Sequence, residues 1–108
     1  MAVSKYGALG QAAPAATTLT DLYAPAPGRH ASVRVICCNR GTATTVRVSL
    51  APQGAANAVS QYIVYDAPLG DYATQATAPL TVGGYDMVRA YSASGNVSFT
   101  VTGIEADD

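Results

Sequence analysis

The sequence predicts an all-β protein, a small antiparallel β-sandwich or jelly roll with an extended N-terminal arm. About six or seven short segments rich in β-branched and aromatic residues follow one another, with turn signals about eight to twelve residues apart. The clearest segment, Ala31 to Pro52, alternates apolar and polar residues, which is typical of strands with one buried face. No helix is predicted.

The sequence predicts an extended arm over residues 1–16 and one β-sandwich domain over residues 17–108. The arm is rich in alanine, glycine and serine, and Gly7, Gly10 and Pro14 interrupt any helical run. A chain of 108 residues is long enough for a single core. Because alanine supplies much of the apolar content and tryptophan is absent, that core is thin, and contacts between subunits would add buried surface.

The segment from Ala31 to Pro52 predicts a hairpin that turns at Gly41 and Thr42. Every second residue of each strand is apolar: Val33, Val35 and Cys37 in the first, then Val46, Val48 and Leu50 in the second. An antiparallel register centred on the turn pairs Cys37 with Val46, Val35 with Val48 and Val33 with Leu50. One face of the hairpin is then continuously apolar, and the arginine and hydroxyl side chains lie on the other.

Further strands flank this hairpin. Residues 17–23 form a short strand before it. Residues 60–66 form a strand that is apolar on both faces, which favours a central or partner-covered position. Residues 77–82 contain Pro79, so they belong to a sheet edge or a strand start. The last two strands, residues 86–92 and 97–102, predict a second hairpin that pairs Ala90 with Phe99 and Val88 with Val101.

Charge, apolar runs and cysteine content indicate which partners and which compartment to expect. Six basic and seven acidic residues give a net charge of −1 without a basic cluster, so nucleic acid is not an expected partner. No apolar run reaches the length of a membrane span and no signal peptide is recognisable, so no membrane is expected either. Cys37 and Cys38 are adjacent on a strand and point to opposite faces, which predicts free thiols and synthesis in a reducing cytoplasm.

The polar residues predict no catalytic site, no metal site and no cofactor. The single histidine, His30, lies in a turn without another histidine or a cysteine at ligand spacing. The glycine pairs lack the lysine or helix that follows a phosphate-binding loop. The aspartates lie near strand ends, where they commonly cap turns, although a glycosidase pair among them stays open. We expect a binding or structural protein and not an enzyme.

Tyrosine and arginine are the most informative polar residues. Five of the seven tyrosines fall in the second half of the chain: Tyr62, Tyr65, Tyr72, Tyr85 and Tyr91. They either fill strands and core or present rings to a protein or a sugar. Arg34, Arg47 and Arg89 are the single charges of their strands. They either bridge subunits through carboxylates such as Asp66 or Asp86, or keep a strand face solvated, which the polar surroundings favour for Arg47.

Four runs of sequence resemble small virion-associated proteins of tailed bacteriophages. They are LGQAAPAATTLTDLY (residues 9–23), CNRGTATTVRVSLAPQGAA (38–56), QYIVYDAPLG (61–70) and GGYDMVRAYSASGNVSFTVTGIE (83–105). Together they span nearly the whole chain. The chain departs from the group at Ala24, where a small β-branched residue is usual, and at Arg89-Ala90-Tyr91, where the group tends towards a valine before the tyrosine. The motifs consist of turns and strand edges, so the resemblance implies a structural subunit and carries over no catalytic residue.

The resemblance implies a structural subunit of a phage particle and does not by itself place it on the head or the tail. The leading hypothesis is a capsid decoration, or cement, protein that binds the major capsid protein on the outside of the phage particle, because the chain is small, its core is thin and its N-terminal arm is suited to order on a neighbour. Such a subunit is made in the host cytoplasm and self-associates, for which a closed trimer is a common symmetric solution. The alternative is a tail, collar or fibre-associated protein, and a third reading is a module that binds glycans during adsorption. The expected contact surfaces are the arm, from Ser4 to Thr18, and the strand from Tyr62 to Tyr65. The candidate interface residues are Tyr6, Leu9, Gln11, Pro14, Tyr62, Ile63, Tyr65 and Arg89.

Overall fold

The structure, a computed structural model, describes residues 3–108. Within this range the chain forms nine strands and two single-turn 3₁₀ helices, Pro52–Gly54 and Val59–Gln61. The strands are β1 (Val3–Ala12), β2 (Thr20–Tyr23), β3 (Arg29–Asn39), β4 (Thr44–Ala51), β5 (Tyr62–Leu69), β6 (Thr74–Ala76), β7 (Leu80–Gly83), β8 (Met87–Ser92) and β9 (Val97–Asp107).

Two antiparallel sheets pack face to face as a sandwich, which confirms the all-β prediction. The first, here the β9 sheet, has the order β1-β9-β3, with β6 and β7 both on the far side of β3. The second, here the β8 sheet, has the order β2-β8-β4-β5. β6 and β7 together occupy one strand position, and β4 and β5 are hydrogen-bonded neighbours in the β8 sheet. All other consecutive strands alternate between the sheets, which is the jelly-roll order.

The core lies between the sheets and consists mainly of valines. Phe99 and Tyr23 are its aromatic side chains, and Val35, Val48, Val88 and Val101 belong to the same cluster with no exposed surface. Each such side chain contributes about 1.5–3 kcal/mol when it leaves water. Valine suits this role because its branched side chain packs well on a pleated sheet.

Both predicted hairpins are wrong as hairpins, although their buried faces are largely right. β3 belongs to the β9 sheet and β4 to the β8 sheet, and β8 and β9 are separated in the same way. Instead, β3 pairs with β9, which places Val35 opposite Val101 and Cys37 opposite Phe99. Likewise, β4 pairs with β8, which places Val48 opposite Ala90 and Leu50 opposite Val88. The side chains that were expected to pair within one sheet instead lie on facing sheets. Alternation of apolar and polar residues is the same in both arrangements, so it does not distinguish a hairpin from two strands of a sandwich. At the end of β4 the pattern slips, so that Ser49 is buried and Leu50 is half-buried.

The predicted arm is extended and forms β1 over residues 3–12. It lies antiparallel along β9, with Tyr6 opposite Ile104 and register shifts on either side of that pair. Leu9 packs against the core. This segment is therefore the outer strand of the β9 sheet in the folded chain, and its removal would expose the edge of β9.

Residues 60–66 are expected in a central or partner-covered strand; the central position is wrong, whereas cover by a partner stays a prediction. β5 is the outer strand of the β8 sheet and pairs only with β4 within the described residues. Ile63 and Tyr65 are 42% and 57% exposed. By contrast, β7 pairs only with β3, which agrees with the edge position predicted from Pro79.

The remaining composition-based expectations concern thiols, metals and membranes. Cys37 is buried, Cys38 is half-buried, and both are free thiols. Burial raises the pKa of the Cys37 thiol to about 11. Among residues 3–108, no group of three His, Cys, Asp or Glu side chains is placed to hold a metal ion. In the same range, no helix has the length and apolar character needed to cross a membrane.

Candidate interaction surface

The densest cluster of aromatic and charged side chains lies on the outer face of the β8 sheet, around Arg47 of β4. Val46 and Val48 point into the core, so strand alternation turns Arg47 outwards. On one side, Tyr91 of β8 lies directly opposite Arg47 in register, and the Arg47 guanidinium carbon is 4.4 Å from the centroid of the Tyr91 ring.

On the other side, two bulges in β5 bring three residues to the same outer face. Val48 pairs with Val64, but Val46 pairs with Ala67, so Arg47 faces two residues of β5, Tyr65 and Asp66. A second register shift follows on the other side of Val64, where Ser49 pairs with Tyr62 and Ile63 is the extra residue. Bulges re-aim side chains in this way and break strict alternation.

The left-handed backbone of Asp66, with φ of 49°, marks the first bulge. Aspartate is among the few residues besides glycine that tolerate this region, because its short side chain can hydrogen-bond locally. Its carboxylate points across to β4 and accepts two hydrogen bonds from Arg47: Nε to Oδ1 at 2.6 Å and Nη2 to Oδ2 at 3.2 Å. The strained residue is thus held by a forked ion pair.

Stacking completes the cluster, which we name the tyrosine platform: Arg47, Tyr62, Tyr65, Asp66 and Tyr91. The Arg47 guanidinium carbon is 4.3 Å from the Tyr65 ring centroid and 6.0 Å from that of Tyr62. The rings of Tyr62 and Tyr65 meet edge to face, with centroids 4.9 Å apart and planes at 75°. A guanidinium over aromatic faces is favourable, and here it fixes the side chains on the surface before any partner arrives.

Within the platform the acid lies nearer to solvent than the base. The Arg47 side chain is 24% exposed and that of Asp66 45%. The hydrogen bond from Arg47 holds the pKa of the Asp66 carboxyl below its usual range, and the same bond raises the pKa of Arg47. Arg89 and Asp21 repeat the arrangement on the same face, with Nε–Oδ1 at 2.9 Å and side chains 15% and 64% exposed. The exposed charge of this face is therefore carboxylate.

The predicted interface residues fall on opposite sides of the sandwich. Tyr62 and Tyr65 belong to the platform, Ile63 is exposed in the adjoining bulge, and Arg89 pairs with Asp21 and donates to the Ala55 carbonyl. The arm residues belong to the β9 sheet side: Tyr6 is 82% exposed, Gln11 bonds Thr100, Leu9 is half-buried and Pro14 is buried. The structure thus separates them into two surfaces, and the buried Pro14 is the least accessible.

Sequence reasoning missed the core of the platform. It gave Arg47 either a bridge between subunits through a carboxylate such as Asp66 or, as favoured, a solvated strand face, whereas Arg47 and Asp66 bond to each other within one chain. Tyr91 was not among the candidate residues, although its position opposite Arg47 follows from the β4–β8 register. The two bulges have no sequence signal such as a glycine. The alternation of the strand therefore does not predict that Tyr62 and Tyr65 lie on the same face.

A second polar cluster lies inside the sandwich. Tyr23 of β2 donates a hydrogen bond to the buried Glu105 of β9, and Arg29 Nη1 donates to the other carboxylate oxygen at 3.1 Å. Burial, with the Glu105 carboxylate beside it, raises the pKa of Tyr23, while the bond from Tyr23 lowers the pKa of Glu105. Both carboxylate oxygens of Glu105 are bonded and its side chain is 1% exposed, so this cluster ties the sheets together and leaves the carboxylate inaccessible.

Compared with known proteins, the chain matches no family model, no curated protein and no solved structure.

Proposed function

We propose that this chain is a structural subunit of a tailed-bacteriophage particle, a decoration protein that binds the major capsid protein on the outer head shell. The sequence resemblance supplies the class. The observation that carries the proposal is that the distinctive side chains point outward: the tyrosine platform, preordered by stacking, on one sheet and the exposed Tyr6 and Ile104 on the other. Tyrosine and arginine are enriched where proteins meet.

The geometry suits adhesion in many copies. Stacking and the Arg47–Asp66 ion pair already restrict the platform side chains, so these side chains lose less conformational entropy when a partner binds. A decoration protein requires only a contact on the order of a few kcal/mol per copy, because the shell repeats that contact over its lattice. The proposal assigns the chain no catalytic role.

Copy number and position test this proposal. In purified virions of the phage that encodes the chain, quantitative mass spectrometry is expected to find it in excess over every tail protein and in proportion to the major capsid protein. Separated heads are expected to retain it. A low copy number, or retention by tails alone, contradicts the head assignment. Absence from washed virions contradicts a virion role altogether.

A tail or fibre-associated protein that binds glycans is the second candidate, and the exposed face of Tyr65 favours it. Beside that ring stand a guanidinium and a carboxylate, which are the groups that hydrogen-bond sugar hydroxyls. Tyr65→Ala is expected to abolish binding to host surface glycans under this reading. Tyr85→Ala is the matched control, because Tyr85 is 56% exposed and lies outside the platform. Equal glycan binding by both variants contradicts the second candidate.

A further inference from the structure

Arg34 is an arginine without a bonded partner in the described part of the chain. The other four arginines each donate to a carboxylate, a hydroxyl or a carbonyl oxygen. Arg34 lies in the middle of β3 on the outer face of the β9 sheet, between the core residues Val33 and Val35. A guanidinium fixed to a strand with its donors unused is suited to receive a carboxylate from outside.

The surroundings of Arg34 combine apolar and hydroxyl side chains and lack acids. A shallow groove runs past it, lined by Ser32, Pro79, Thr102 and Ile104 among others. Ile104 is 48% exposed, and Tyr6, its register partner on β1, is 82% exposed. We name Tyr6, Arg34 and Ile104 the β9 face. No carboxylate stands on the outward positions of β3 and β9 between Ser32 and Cys38 or between Ser98 and Ile104.

The tyrosine platform has the complementary character. It offers exposed aromatic surface, and of its ion pair the carboxylate of Asp66 is the more exposed member, as Asp21 is in the neighbouring pair. An aromatic surface with outward carboxylates complements a surface that carries one free guanidinium beside the exposed side chains of Tyr6 and Ile104. Each chain bears both surfaces, on opposite sides of the same sandwich.

We propose that the β9 face of one copy docks on the tyrosine platform of a second copy, with Arg34 directed at the exposed carboxylates. The contact is heterologous, because a two-fold contact of the β9 face with itself would set Arg34 against Arg34. Copies joined in this way form a ring if the rotation closes and an open chain if it does not. The proposal does not depend on a place in the virion.

Sedimentation velocity of the purified full-length chain tests self-association up to about 1 mM, where even a weak contact is populated. The wild-type chain is expected to associate as concentration rises. Arg34→Glu is expected to weaken association about tenfold or more. Arg40→Glu is the control with the same change of charge, because Arg40 follows the end of β3, about 20 Å from Arg34 at the rise of an extended strand. It is expected to associate as wild type. Thermal melts verify that each variant is folded.

A mixing experiment tests the heterologous geometry. Tyr65→Ala removes platform surface and leaves the β9 face intact, whereas Arg34→Glu does the reverse. Each variant alone is expected to remain monomeric, and their equimolar mixture is expected to form pairs that grow no further. Pairs that fail to form in the mixture contradict a heterologous contact. A wild-type chain that stays monomeric throughout, or an Arg34→Glu variant that associates like Arg40→Glu, overturns the proposal.

Discussion

Tyr23 of the β8 sheet donates a hydrogen bond to the buried carboxylate of Glu105 in the β9 sheet, so a side-chain bond crosses the sandwich. Arg29 binds the other carboxylate oxygen, and Lys5 lies opposite Glu105 on β1. In a core made mostly of valine, this contact, like the hydrogen bond from the buried Asn39 of β3 to the Leu69 carbonyl of β5, favours one sheet alignment over another. A buried acid is tolerated here because its oxygens are bonded.

Removing the donor is therefore expected to destabilise the fold. Tyr23→Phe leaves a buried carboxylate oxygen without its partner, which costs about 1–3 kcal/mol. Urea denaturation at neutral pH measures the change in the free energy of unfolding. Tyr91→Phe is the control, because Tyr91 is half-exposed, and we expect it to stay within about 0.5 kcal/mol of wild type. Equal effects of the two substitutions contradict the structural role given to Tyr23.

Stability is expected to depend on acid pH through the same carboxylate. The hydrogen bond from Tyr23 lowers the folded-state pKa of Glu105 from its ordinary value of 4.5. The folded state then binds fewer protons than the unfolded state, so the stabilisation is present above pH 4.5 and is lost as the pH falls below it. Urea midpoints at a series of pH values are expected to fall in that window.

Glu105→Gln identifies the group responsible. This variant is expected to be less stable at neutral pH and to show a flatter acid dependence than wild type. Asp66, whose pKa is also lowered, contributes with the same sign, but its exposed pair is screened by salt. An acid dependence that high salt abolishes, or that Glu105→Gln leaves unchanged, contradicts the assignment to Glu105.

Two buried serines are expected to respond oppositely to alanine. The Ser49 hydroxyl has no hydrogen-bond partner among the described residues, whereas the equally buried Ser92 donates to the Ser94 carbonyl. Ser49→Ala removes an unsatisfied polar atom and is expected to leave stability unchanged or raise it by up to about 1 kcal/mol. Ser92→Ala is expected to lower it by about 1 kcal/mol. Chemical denaturation of both variants measures the change in the free energy of unfolding. A loss of stability in Ser49→Ala equal to that in Ser92→Ala would contradict this prediction.

The close approach of β1 to β2 gives a test of the N-terminal strand. A Cβ added at Gly10 would overlap the Leu22 carbonyl oxygen, whereas one added at Gly70 has no atom closer than 3.9 Å. Gly10→Ala is expected to cost about 1–3 kcal/mol, because backbone has to shift. It is also expected to speed hydrogen exchange in β1. Gly70→Ala serves as control and is expected to change neither. Unaltered exchange in Gly10→Ala would mean that β1 does not pack at this position.

The sequence predicted which strand faces are buried better than it predicted how strands pair. Val35 and Val48 are both buried as expected, yet they belong to opposite sheets. Alternation reports only whether a side chain faces the core, and a ladder neighbour and a residue on the facing sheet satisfy it equally. The pairing of Val35 with Val101 joins residues far apart in sequence, which no local pattern encodes.

The candidate surface was predictable in its residue types but not in its geometry. Exposed tyrosines and lone arginines were recognised, whereas the union of Tyr62 with Tyr65 depends on two bulges in β5. Strict alternation puts residues 62 and 65 on opposite faces. The left-handed backbone at Asp66 is a local strain that the ion pair with Arg47 and the register with β4 together maintain. The sequence of β5 alone predicts neither this ion pair nor this register.

A reconstruction of purified virions by electron cryo-microscopy tests the central proposal most directly. The account predicts regularly repeated jelly-roll density on the outer head surface, with the tyrosine platform or the β9 face against a neighbouring subunit. Density for this chain confined to the tail or its tip would contradict the decoration role and move the function to tail assembly or attachment.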